Sequence, residues 1–167
     1  PKDYGPPAMG FYQNPEIKSK ILQLRNEAKS KGVKDLGKYI RSQYKPPFSM
    51  SDAPDEAYVD GILAAYTNNW LDKLNSNTKP FFLAVGFKRP HLPFAVPKKY
   101  WDLYDVSKFR VSEYQKNSKN GPNIAYHSSG ELRSYITPDI SYEVSDNKRV
   151  ILSEEFQKKL IHGYYAS

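Results

Sequence analysis

"KPFFLAVGFKRPHLPF", Lys79 to Phe94, begins as a hydrophobic run and ends in charge. Phe81 to Val85 are apolar without a break and are bounded by Pro80 and Gly86, which predicts a strand buried on both faces. Lys88 and Arg89 follow at once, then His91 between Pro90 and Pro93. Ligands of open α/β sheets sit beyond the carboxyl ends of strands, so a strand that runs into two cations and an imidazole marks a candidate anion site. A histidine braced by prolines loses little freedom on engaging a ligand. Its ring can donate to an anionic oxygen or pass a proton near neutral pH. Lys88 or Arg89 beside it would favour a sulfate, a phosphate or a carboxylate. The competing reading is a histidine bonded to a carbonyl with both cations in water. The local pattern alone names no reaction.

Upstream of this stretch, "DEAYVDGILAAYTNNWLDKL" starts a helix near Asp55, with Val59, Ile62, Leu63, Tyr66, Trp70 and Leu74 at helical spacing. Helix, short turn and apolar strand together make the unit of a covered sheet. Further back, Asn14 caps a helix that opens on Pro15 and Glu16, with Ile17, Ile21, Leu24 and Ala28 on one stripe and Gly32 as its stop. "YKPPFSMSDAP" reads as loop, as do the first thirteen residues. Downstream, "KKYWDLYD" is a short amphipathic turn in which Tyr100, Trp101 and Tyr104 read as core before they read as a sugar platform. Residues 105–150 hold no sustained period beyond one short helix near Glu131 to Tyr135. Ser153 caps a last helix whose expected buried face is Phe156, Leu160, Ile161, Tyr164 and Tyr165. His162 on that helix reads as a packed, satisfied histidine, and His127 as a loop residue facing solvent.

The bulk numbers bound the choices. The chain has 167 residues, enough for one domain with a real core, and a net charge of +7. Its lysines alternate with acids, as in "EIKSKILQLRNEAKSKGVKD", which puts them on wet helix faces and argues against a nucleic-acid binder. There is no cysteine, hence no disulfide, thiolate metal site or cysteine nucleophile within these residues. No stretch approaches a membrane span, and neither a signal peptide nor an N-x-S/T sequon is present. Pro1 is no initiator, and the last helix carries no stop signal, so the expectation is a piece of something larger.

"KPFFLAVGFKRPHLPFAVPKKYWDLYD" resembles the P-F-F-L-A-V-G-[FY]-x-K-P-H-x-P-[FW]-x-x-P segment of the formylglycine-dependent sulfatases, in the branch similar to iduronate-2-sulfatase. "ELRSY" (131–135) and "LIHGYYAS" (160–167) resemble that branch too, in the expected order; residues 1–54 match only loosely. The resemblance implies an α/β chain, part of an alkaline-phosphatase-like sulfatase fold with helices packed on a central, mostly parallel sheet. Within it, 1–54 would be a loop and helix insertion, 55–104 the helix–strand unit with the motif, 105–152 a long irregular excursion, and 153–167 a truncated helix. It also implies hydrolysis of a sulfate ester, a sulfated carbohydrate such as a glycosaminoglycan or an algal polysaccharide as substrate, and a periplasmic, secreted or, in a eukaryote, lysosomal setting.

By the same resemblance His91 falls on the histidine that contacts the sulfate near the leaving oxygen, and Arg89 stands where the motif has lysine. Lys88 occupies a variable position, at the rim or in solvent. The family's calcium ion and formylglycine have no counterparts here: the sequence contains no C/S-x-P-S/A-R motif, and the family's aspartate pairs are missing. Both would come from the remainder of the sulfatase chain, and these residues alone are expected to be inactive. The alternative is a non-catalytic carbohydrate- or anion-binding module.

Overall fold

The computed structural model describes residues 11–76, 78–116, 118–126, 129–136, 143–144 and 150–167. Helix α1, Pro15–Ser30, opens as the sequence predicts. The Asn14 side chain accepts from the backbone N–H groups of Glu16 (2.9 Å) and Ile17 (3.2 Å), and Pro15 takes the first helical position. Ile17, Leu24 and Ala28 are buried, and Gly32 ends the helix at a φ of 65°, a left-handed conformation that suits glycine. Helix α2, Leu36–Gln43, is capped by Asp35 and packs on α1.

The centre is a β-α-β crossover. Strand β1, Phe48–Ser51, leads through a single 3₁₀ turn, Asp55–Ala57, into helix α3, Val59–Asn75, and the chain returns to pair strand β2, Phe94–Pro97, parallel to β1. Phe48 faces Phe94 and Ser51 faces Pro97. All four residues of β2 are buried. Tyr58, at the entrance to α3, donates its hydroxyl to the Val96 carbonyl at 2.9 Å and ties the helix to the strand. After the short helix α4, Lys98–Trp101, the described part of 105–152 contributes short turns at Val106–Lys108, Asn123–Ala125 and Leu132–Ser134 and the antiparallel pair β3 (Glu143–Val144) and β4 (Val150–Ile151). Helix α5, Glu154–Tyr165, closes over β1 and β2. A Lys45–Ile136 bridge, with backbone N–H···O distances of 2.6 and 2.8 Å, brings the 131–136 turn back to the crossover.

Four expectations are corrected. Phe81–Val85 is not a buried strand: no described strand pairs with it, and Phe82 is 92% exposed. Its composition asks for cover on two faces, but cover is a tertiary property, and the strand after α3 is Phe94–Pro97, where prolines stand at the edges of the element rather than inside it. The loop read at 44–54 contains β1, with Pro46 and Pro47 leading into the strand rather than interrupting it. Helix α3 has no buried residue, and Val59 and Trp70 of its apolar stripe are exposed. On α5 the buried positions are His162 and Gly163, followed by Ala166, while Tyr164 and Tyr165 are more than half exposed. Gly163 turns that helix, because its bare backbone can approach the Phe94 ring where an added Cβ would lie 2.8 Å away.

The two buried phenols make a test of the packing. Burial, the largest cause, lifts Tyr58 and Tyr135 from the ordinary value near 10 up to about 12. A raised folded-state value means that folding favours the neutral phenol. That stability is complete below pH 10 and is lost as pH climbs through about 12. We expect alkaline unfolding within that window, with the ultraviolet absorbance of tyrosinate appearing alongside loss of circular dichroism. Titration of every tyrosine near pH 10 with the fold intact would contradict it.

Candidate functional site

The motif residues sit on the loop between the exposed apolar run and β2. Asp60, in the first turn of α3, accepts the backbone N–H of Lys88 on one carboxylate oxygen (2.9 Å) and that of Arg89 on the other (2.8 Å). The Arg89 guanidinium turns inward and donates to the carbonyls of His91 (3.0 Å) and Ala95 (3.2 Å). Burial, the largest cause, pushes Arg89 down from its ordinary value, while Asp60, Tyr135, Tyr12 and Tyr58 hold it up. The peptides before Pro90 and Pro93 are both cis. Pro93 is fully buried, and that burial anchors the loop at its base.

His91 projects from this anchored loop. Its side chain is 73% exposed, and its Nδ1 lies 3.7 Å from Glu131 Oε1. Lys88 extends over the Phe11 ring, with Nζ 4.2 Å from the ring centre. A cleft of about 620 Å³ runs between α3 and the loop; Lys88, Arg89, Asp60 and Tyr100 are on its wall, but His91 is not. The structure therefore joins Lys88 and Arg89 in one cleft and presents His91 on the outer side of the same loop. Arg89, expected beside the imidazole as an anion ligand, has its fork on backbone carbonyls instead.

Elsewhere the histidine readings divide. His162 is buried, stacks on Trp101 with ring centres 4.0 Å apart, and donates from Nε2 to the Trp101 carbonyl at 2.8 Å. It is the packed, satisfied histidine its apolar neighbours predict. Trp101 joins that stack against Phe48, but Tyr100 and Tyr104, expected in the core, are exposed. His127 lies outside the described residues. Among the described residues, no group of three or more His, Cys, Asp or Glu side chains could hold a metal ion, and no helix is long and apolar enough to cross a membrane.

Asp60 and Glu131 are the site residues the motif does not reveal. Asp60 reads locally as a helix-start acid, and its partners lie 28 and 29 residues downstream. Glu131 belongs to "ELRSY", but nothing in that pattern states that the Lys45–Ile136 bridge will carry it to His91.

Comparison with curated proteins gives the class first: the chain is similar in sequence to sulfatases. Over 121 residues, 72% of this chain and 22% of the relative, it is 27% identical to iduronate 2-sulfatase of Mus musculus, and it is 26% identical to that of Homo sapiens over the same shares. Over 54 residues, 31% of this chain and 11% of the relative, it is 48% identical to a sulfatase of Formosa agariphila. The chain spans about a fifth of the length of the iduronate 2-sulfatases it matches. No family model matches it.

Proposed function

We propose that these residues belong to a sulfatase that hydrolyses sulfate esters of a sulfated carbohydrate, and that His91 contributes to its sulfate pocket. The observation that carries this reading is the anchored loop with an exposed imidazole at its tip, on a chain similar in sequence to sulfatases. With Nδ1 facing Glu131, Nε2 is the nitrogen offered to a ligand. There it would donate to a sulfate oxygen and support departure of the alcohol. Lys88, whose ammonium lies over Phe11 on the cleft side of the loop, adds a positive field for the anion from a distance and makes no contact with it.

The described residues do not fit the family's calcium ion: no three candidate ligands converge, and the sequence has no C/S-x-P-S/A-R motif from which a formylglycine could be made. Polarisation of the sulfate and nucleophilic attack are thus assigned to no residue here. What this chain's own side chains supply is binding and hydrogen bonding. The exposed run Phe81–Phe87 supports placement against further strands of an alkaline-phosphatase-like sheet, and the setting in keeping with the relatives is periplasmic, secreted or lysosomal. Sulfate release by the full-length protein carrying His91→Ala tests the assignment. Unchanged turnover with an intact fold removes His91 from the site.

A further inference from the structure

We propose that Asp60 and Arg89 are positioning residues for His91, with Arg89 serving the loop backbone and not the sulfate. The proposal rests on His91 being the sulfate-contacting residue. Asp60 holds two consecutive backbone N–H groups with its two oxygens, which fixes the plane in which the chain enters the loop. Arg89 then closes the loop on itself. One arm of its guanidinium reaches the carbonyl of His91 and the other that of Ala95, which lies beyond both cis-prolines on buried β2. The His91 carbonyl is thereby tied to the strand, and the imidazole is set at a fixed height above it.

Only a forked cation can do this. A lysine ammonium is a compact charge on a flexible stem and would not span two carbonyls with the same fixed geometry. The residue that departs from the K-P-H motif is therefore the one whose shape the observed loop uses. The electrostatics agree. Arg89 faces Asp60 and three tyrosine side chains, those of Tyr12, Tyr58 and Tyr135. Asp60, Asp55 and Glu56 line the cleft on its side of the loop. Lys88 lines the same cleft, Asp55 is paired with Lys99 at 2.7 Å and both Asp60 oxygens are taken by the two amides, so what Arg89 faces there is a set of engaged groups, while the exposed ring of His91 stands outside the cleft.

The test uses the full-length protein with Arg89→Lys, Arg89→Ala and Asp60→Asn. Turnover is read on the best substrate from a panel of sulfated mono- and disaccharides, and amide hydrogen exchange at Lys88 and Arg89 is followed in each variant. Positioning predicts that Arg89→Lys lowers kcat about as much as Arg89→Ala, roughly 10- to 100-fold, with KM changed less than about threefold. Asp60→Asn should speed exchange of the two amides at least about tenfold, in a protein whose remaining amides keep their protection. If Arg89 is instead a sulfate ligand, Arg89→Lys should keep kcat/KM close to that of the parent while Arg89→Ala raises KM; that pattern overturns the proposal. Unaltered exchange in Asp60→Asn overturns it whatever the activity. Parent-like turnover in His91→Ala would overturn the sulfate role of His91 and with it the positioning role, whereas faster exchange in Asp60→Asn would still show that Asp60 holds the loop.

Discussion

His91→Ala in the full-length protein is expected to lower turnover by about 10²–10⁴-fold, the usual worth of a positioned acid or base, while leaving stability within about 0.5 kcal/mol of the parent. The two halves of that expectation have separate causes. The ring is 73% exposed, and its charged neighbour among the described residues is a half-exposed carboxylate at 3.7 Å, a pair of the kind that contributes little to folding. The backbone of the loop is held by Asp60 and by Arg89, whose contacts do not involve the imidazole. An alanine at 91 should thus leave the loop in place and remove only the donor. Steady-state kinetics together with urea unfolding of the variant measure both quantities. A variant that loses activity because it has unfolded would argue for a structural ring, contrary to its exposure.

Gly61→Ala should have the largest effect on folding, about 3 kcal/mol or more of destabilisation. An added Cβ would lie 1.9 Å from the Asp55 carbonyl oxygen and 2.4 Å from the carbonyl carbon. Both are backbone atoms of the 3₁₀ turn that feeds α3, so no side chain can swing aside to relieve the clash. The turn and the helix must separate, which moves Asp60 from the two amides it holds. For a domain of this size each kcal/mol corresponds to roughly 2–4 °C in the thermal midpoint, so a fall of about 6–12 °C is expected. By contrast, Gly86 has open space around it and should accept alanine with no steric penalty.

What was legible in the sequence was whatever a few neighbouring residues settle among themselves. Asn14, Pro15 and Gly32 delimit α1, and Ser153 starts α5 by accepting the Phe156 N–H at 3.2 Å, because a cap needs only the turn beside it. His162 was read correctly for the same reason, from the apolar residues around it on its own helix. Apolar runs were less informative. The same richness that marks Phe81–Val85 as an element to be covered cannot say what covers it, and the strand that is buried carries the sequence "FAVP", whose proline reads as punctuation. At the site, the histidine and its two cations were visible as a cluster. The direction in which Arg89 points was not, because it depends on Asp60 and on the carbonyls of His91 and Ala95, contacts that only the crossover brings together.

The bare apolar stretch between α3 and the motif loop has a practical consequence. Seven residues of extended chain reach about 23 Å, at about 3.3 Å per residue. Here that length carries Phe81, Phe82, Leu83, Val85 and Phe87 on a backbone that no described strand pairs with. Such a ribbon is a template for adhesion to any chain that offers a complementary edge. Recombinant work on these residues therefore calls for low protein concentration or a co-produced partner strand, and a charged substitution at Phe82, the most open of the five, is the simplest way to blunt the adhesion without touching the loop that bears His91.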